Sequence, residues 1–271
     1  MIVARLRFLL FLVPCCFCLA PRAQNTPVDG RRENIQPAIS EIQLQDMGAE
    51  SVAATAFLSH SLVSVRLSNR FFIKELMEEQ VDGVLRVEEN AVIFRASHLG
   101  WAHYGEVAVA AGYARSFGRH VAVGVRFHYL MEHAQEYRST HSFTFDVSLY
   151  AKIARNLGLG FSVYNPARLK YGVVGRTPLP TRFRLDIAYR IGKHALLFGR
   201  VKKELKTPFE IDIGAAYQVK CLFLEAGFTF PRPEFGLRVG VTYRGFFFHL
   251  EEKYLLYAGF WQSIGIRYLF K

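Results

Sequence analysis

The residues of this 271-residue chain that could do chemistry recur at every second position of segments that otherwise read as apolar. Arg126 and His128 interleave with Val125, Phe127 and Tyr129, Arg184 and Asp186 with Phe183, Leu185 and Ile187, and Glu210 and Asp212 with Phe209, Ile211 and Ile213. Asp146 stands between Phe145 and Val147, Arg238 between Leu237 and Val239, and Arg244 follows Tyr243. Guanidinium and carboxylate groups within reach of one another form charge-assisted hydrogen bonds, and carboxylate or imidazole groups can also move protons. Catalysis asks for more, a nucleophile beside its base and donors for the charge that develops. The sequence has no Gly-x-Ser-x-Gly elbow, no His-Glu-x-x-His and no phosphate-cradling glycine loop. His128, His133 and His141 gather around one strand pair and its turn, but with no carboxylate or cysteine partner at ligand spacing solvated histidines are the better reading. No catalytic residue, metal site or cofactor is expected.

The elements that must position these charges are strands. From Glu106 to Leu130, Val107, Val109, Ala111 and Tyr113 alternate with Glu106, Ala108, Ala110 and Gly112; after a turn at 115–119, Val121, Val123, Val125, Phe127 and Tyr129 alternate with His120, Ala122, Gly124, Arg126 and His128. A period of two places successive side chains on opposite faces of a pleated chain. The same alternation runs through 209–220 and 235–244 and recurs to the last residue. Candidate strands are 61–72, 80–88, 90–98, 106–116, 120–132, 139–153, 156–165, 180–191, 194–204, 208–220, 221–231, 234–244, 246–257 and 260–270. Fourteen is an even number, as single-chain bacterial barrels require.

The second face decides between a soluble sandwich and a barrel. It carries the charges named above, with Arg190, Glu225 and Arg267, interleaved with Gly and Ala. In a barrel those groups line the lumen, where opposite charges pair and glycines relieve crowding. Apolar stripes end in Tyr113, Tyr129, Tyr189, Tyr217 and Tyr243, as interfacial girdles do. Apolar residues make up 51% of the chain, yet beyond the N-terminus no stretch approaches the roughly 20 unbroken apolar residues of a spanning helix. The expected fold is all-β, a transmembrane antiparallel barrel of about 14 strands at residues 59–271.

The formal charge of +11 is scattered singly apart from Lys202, Lys203 and Lys206, and no recognition helix accompanies it. Nucleic acid is therefore excluded as a partner; solvated turns, a charged lumen and a basic surface meeting lipid phosphates remain. At the N-terminus Arg5 and Arg7 precede the apolar run from Phe8 to Val13, and small residues follow near Ala20 to Ala23. Residues 1–23 read as a secretory signal, cleaved after Ala23. A lipid-anchor cysteine is the weaker alternative, because neither Cys15 nor Cys18 has a small residue before it. Removal of the signal leaves Cys221 without an internal disulfide partner. Residues 24–58 form a polar tail and a segment around Asp46, Met47 and Gly48 that could be a short helix or a plug inside the barrel.

The run Gly105 to Gly118, then His120 to Tyr129, Asn165-Pro166-Ala167-Arg168-Leu169-Lys170-Tyr171 and Pro178 to Arg190 resembles the PorV/PorQ-type outer-membrane proteins, relatives of the FadL long-chain fatty-acid transporter that include components of the type IX secretion system. The resemblance covers most of residues 42–271. It implies fourteen strands and an N-terminal segment folded into the lumen, with Asp46-Met47-Gly48 where that segment's Met-Gly would be. The usual Asn-Pro-Ala turn before the first strand is replaced by Ala53-Ala54-Thr55-Ala56-Phe57. The location implied is the outer membrane, with membrane lipid as one partner. The function expected is a conduit for a hydrophobic ligand that enters from outside and leaves through a gap in the wall. The alternatives are a secretion-system component or scaffold for exported proteins, and a structural barrel without transport.

Overall fold

The computed structural model describes residues 38–101, 103–135, 137–171, 177–205 and 207–271. The signal segment and the tail as far as residue 37 lie outside them. Fourteen strands close into one antiparallel barrel: β1 Ser61–Arg70, β2 Met77–Val87, β3 Asn90–Trp101, β4 Tyr104–Phe117, β5 Val121–Ala134, β6 Tyr137–Ala154, β7 Leu157–Tyr164, β8 Arg182–Ile191, β9 Ala195–Glu204, β10 Glu210–Val219, β11 Leu222–Phe230, β12 Glu234–Tyr243, β13 Phe246–Leu255 and β14 Gly259–Phe270. Each pairs with its chain neighbours, and β14 closes on β1 with Ser61 opposite Phe270 and Arg70 opposite Trp261. Closure leaves no strand edge unpaired, the condition for backbone to cross a lipid phase.

Every one of the fourteen segments expected from alternation is a strand, with ends displaced by a few residues. The outward parity is apolar and exposed: Val123, Phe127, Leu185, Ile213, Val239 and Ile264 point away from the lumen. Water would not tolerate a continuous belt of that kind on a monomer, whereas lipid solvates it. The inward parity is buried, and it holds Arg126, Asp146, Arg184, Asp186, Asp212, Arg238 and Arg267.

Turns at one end are short, at 88–89, 118–120, 155–156, 192–194, 220–221 and 244–245, and the wall both begins and finishes there, at Ser61 and Phe270. The opposite end has the longest connection, 165–181, which contains a small hairpin pairing Lys170 and Tyr171 with Pro178 and Thr177. Asn165 organises that connection from a fully buried position. Its side-chain oxygen accepts from the Leu169 amide at 2.8 Å and its side-chain nitrogen donates to the Leu179 carbonyl at 2.9 Å.

The segment before β1 is not wall. Ile39–Glu50 forms helix α1, followed by a 3-10 turn at Val52–Phe57. Residues on every side of α1 are buried, among them Ile39, Glu41, Gln43, Gln45 and Met47, so the helix has no solvent-facing stripe. A helix buried all round is enclosed by protein, and here the enclosure is the barrel.

Candidate functional site

The lumen is crossed at mid-height by a belt of charges set by strand register. Asp82 on β2 faces Arg95 on β3, Arg126 on β5 faces Asp146 on β6, Asp186 on β8 faces Arg200 on β9, and Arg200 faces Asp212 on β10. On the far side Glu225, Arg238 and Glu251 stand opposite one another across β11, β12 and β13. Directly opposed charges of unlike sign stabilise a sheet, and in a lumen largely closed to water they also satisfy one another's desolvated groups. Arg126 donates to Asp146 at 2.8 Å, Arg200 reaches Asp186 at 3.2 Å and Asp212 at 3.4 Å, and Lys202 reaches Asp212 at 3.1 Å and Glu210 at 2.9 Å. Arg184 holds Asp186 at 2.8 Å.

Helix α1 is tied into this belt by residues at its C-terminal half. The Asp46 carboxylate accepts from Arg238 at 2.8 Å and from Arg267 at 2.5 Å, and Gln45 accepts from Arg267 at 3.2 Å. Arg238 also donates to Glu225 at 2.5 Å. Burial pushes the Asp46 carboxyl up, but the two guanidinium groups more than offset this and hold it well below its ordinary value of 3.8. On the opposite wall Arg126 donates to the carbonyls of Ala49 at 2.9 Å and Glu50 at 3.3 Å, placing a cation on the carbonyl end of the helix dipole. Glu50 adds a contact to Arg184 at 3.1 Å. At the other end of α1, Glu41 accepts from the Ser59 amide at 3.2 Å and meets His60 at 3.0 Å.

Apolar packing fixes the same segment against both walls. Ile39 and Ile42 pack with Leu196, Ala216, Phe223 and Phe247, while Met47 and the 3-10 turn pack with Ala114, Ala122 and Tyr150. Two glycines permit the approach. A Cβ at residue 48 would come within 2.5 Å of the Thr55 methyl group, and one at residue 124 within 2.9 Å of the Ala53 nitrogen. The Ala53 amide donates to Ser148 on β6 at 2.9 Å.

The segment lines one of two cavities. One of about 620 Å³ opens at the short-turn end, between Leu44, Met47 and Phe57 of the N-terminal segment and Tyr150, Lys152 and Arg190 of the wall. The second, about 450 Å³, lies towards the long loop, bounded by Leu99, Leu130, Met131, Leu179, Glu78 and Glu132.

Of the residues singled out from sequence, Arg126, His128, Asp146, Arg184, Asp186, Glu210, Asp212 and Arg238 lie in this network, and Asp46, Met47 and Gly48 each make a distinct contact with their surroundings. Arg244 does not: it is exposed in the β12–β13 turn, its guanidinium carbon 5.1 Å from the Tyr243 ring. Asp82, Arg95, Arg200 and Glu50 escaped sequence reasoning, although the inward parity of β2, β3 and β9 was available as a signal. The three clustered histidines diverge, His128 to Asp146 at 2.6 Å, His141 to Tyr129 at 2.7 Å and His133 to Ser139 at 3.0 Å. Among the described residues no three His, Cys, Asp or Glu side chains are grouped to hold a metal ion.

No protein-family model and no curated protein matches the sequence. Solved structures share its fold. The CymD monoaromatic hydrocarbon channel aligns with a TM-score of 0.59 at 12% identity, over 87% of this chain and 95% of that one. A Pseudomonas aeruginosa FadL homologue aligns with a TM-score of 0.58 at 9% identity, over 83% and 94%, and the Pseudomonas putida toluene transporter TodX with 0.58 at 9%, over 82% and 91%. The chain is thus a fourteen-stranded transmembrane barrel resembling the FadL-like transporters in fold.

Proposed function

We propose that this protein is an outer-membrane conduit for small hydrophobic molecules in which the N-terminal segment acts as a plug. The observation that carries the reading is helix α1 seated inside the barrel, tied through Asp46 to Arg238 and Arg267 on one wall and through its last carbonyls to Arg126 on the other. An open porin would leave that belt to water and ions. Here the belt is occupied, the plug lines a partly apolar cavity at the short-turn end, and a second cavity lies towards the long loop. The likeness in fold to a monoaromatic hydrocarbon channel and a toluene transporter gives the class of cargo to try first, by analogy of fold alone.

The test is reconstitution into planar bilayers. The mature chain should show little steady conductance, and a chain lacking residues 24–58 should show more. Uptake of toluene and of a long-chain fatty acid into vesicles carrying the full chain should exceed that of empty vesicles. Large stable channels from the mature chain would remove the plug, and uptake no faster than in empty vesicles would remove the conduit.

A second reading, attachment of exported proteins as in type IX secretion, draws on the long connection after β7, where buried Asn165 ties Leu169 and Leu179 together at the long-loop end. Recovery of an exported protein, and no lipid, with the barrel from native membranes would favour it.

A further inference from the structure

The formal charge of +11 is not shared evenly between the two ends of the barrel. At the short-turn end five of the turns each carry an exposed cation, Arg119, Arg155, Lys193, Lys220 and Arg244, while the acids of those turns are confined to Glu88 and Glu89 in the β2–β3 turn. At the long-loop end the cations Arg70, Lys74, Arg168, Lys170, Arg182, Arg232 and Lys253 stand among the acids Glu75, Glu78, Glu132, Glu204 and Glu234, so the two signs are nearly balanced there, and several of them pair.

The cations stand at a definite depth. Tyr113, Tyr189, Tyr217, Tyr243 and Tyr268 are exposed on the outward face near the short-turn end, a girdle of the kind that marks the boundary of the hydrocarbon layer. Arg115 follows Tyr113 by two residues on the same outward parity, its guanidinium carbon 6.0 Å from the Phe117 ring. Arg244 stands beside Tyr243, and Lys193 and Lys220 follow Tyr189 and Tyr217 by a few residues. A long cationic side chain rooted at such a girdle lays its stem on the aromatic belt and carries its charge to the headgroup layer.

We infer that this cationic ring binds the phosphate groups of anionic phospholipids in the leaflet at the short-turn end of the barrel. Cations on five of the six short turns, from β4 round to β13 and broken only at the acidic β2–β3 turn and the β14–β1 seam, match a lipid annulus at headgroup depth, whereas an acidic protein would call for a patch gathered on one side. The inference rests on the barrel's spanning a membrane and not on what passes through it. With the barrel wall's ends and short turns on the periplasmic side, the leaflet is the one facing the periplasm. Each cation near an anionic lipid surface is worth about fivefold in association, so even a shared ring gives a measurable preference.

The full mature chain is reconstituted in phosphatidylcholine bilayers with spin-labelled phosphatidylglycerol or spin-labelled phosphatidylcholine, and the motionally restricted fraction of each label gives their relative association. Phosphatidylglycerol should be preferred severalfold at low salt, and the preference should fall towards unity near ~1 M salt, where screening is nearly complete. In a variant carrying Arg115→Gln, Lys193→Gln, Lys220→Gln and Arg244→Gln the preference should fall severalfold at low salt, with the barrel's resistance to detergent intact. A control at the opposite end, Arg70→Gln with Lys203→Gln, should keep it. Equal association of both labels with the unaltered chain would overturn the inference and leave an acidic protein as the partner to seek. Loss of preference in the control alone would move the site to the other leaflet and overturn the placement. Should the fourfold variant fail to fold, the salt dependence of the unaltered chain and the control variant still decide the matter.

Discussion

Asp46 and Arg238 are 192 residues apart in the chain and 2.8 Å apart in the barrel. Arg267 meets the same carboxylate and Glu225 the same guanidinium, so a single acidic side chain on α1 closes a four-membered ion cluster whose other members all belong to the wall. The wall contributes two arginines and one nearby acid, and the helix supplies the charge that balances them. Removing one partner from such a cluster leaves buried charge uncompensated, which costs about 3 to 5 kcal/mol.

Asp46→Asn should therefore loosen the seated helix and leave the barrel closed. The wall ladder does not involve the side chain, so resistance to detergent and the shift on unheated gels should persist. Steady conductance in planar bilayers should rise towards that of the chain lacking residues 24–58. An Asp46→Asn chain as silent as the unaltered one would show that apolar packing alone holds the plug.

The same carboxylate gives the plug a pH dependence. Its pKa in the seated state is depressed below 3.8, so seating is fully stabilised above that value and weakens as pH falls below it towards the seated pKa. Conductance of the unaltered chain should be flat from about pH 5 to 8 and should rise below about pH 4, and the Asp46→Asn chain should lack this rise. A rise centred instead between pH 6 and 7 would point to a histidine and away from Asp46.

Alternation made the wall legible because lipid enforces it on one face at every strand, and Val123, Val239 and Ile264 are exposed as their parity requires. The inward parity of Arg126, Asp186 and Arg238 followed from the same pattern. Helix α1 was much less legible: with Ile39, Glu41, Gln43 and Met47 buried on all sides, no amphipathic stripe exists to reveal it. Pairings such as Asp46 with Arg267, or Arg200 with both Asp186 and Asp212, depend on register and on where the plug comes to rest, which local pattern does not encode. Lys202 and Lys203 looked like one basic cluster. Parity separates them, Lys202 towards Asp212 in the lumen and Lys203 towards the Phe209 ring, 4.8 Å away.

Facing sets a third expectation. Val239→Arg, in the middle of β12 where the side chain meets lipid, should cost about 2 to 4 kcal/mol, whereas Val123→Arg, opposite Arg115 close to the tyrosine girdle, should cost only about 0 to 1 kcal/mol. Inward substitutions divide according to what lies behind them. At Gly227 and Gly236 a Cβ meets only ordinary contacts, and Ser should be mild; at Gly124 it would press on Ala53 and Val52, so Ser there should displace the 3-10 turn. Unfolding measured in lipid gives the first comparison, and conductance the second. Equal tolerance of arginine at Val239 and serine at Gly227 would contradict the register.

Arg126 tests whether the plug moves as one body. Its guanidinium caps the carbonyls of Ala49 and Glu50 on the wall opposite Arg238 and Arg267, so it shares no atom with the Asp46 cluster. Arg126→Met removes the cap and keeps an apolar stem of similar length, and His128 remains within 2.6 Å of Asp146 to limit the exposed charge. The single change should raise conductance in the way Asp46→Asn does. If α1 and the 3-10 turn undock together, the double variant should conduct little more than either single one, because a plug already released cannot be released again; the coupling seen in such a cycle then belongs to the helix and not to direct contact between the sites. Conductances that multiply across the two changes would instead mean that each end of the helix opens its own path, and the picture of one rigid plug would have to be given up.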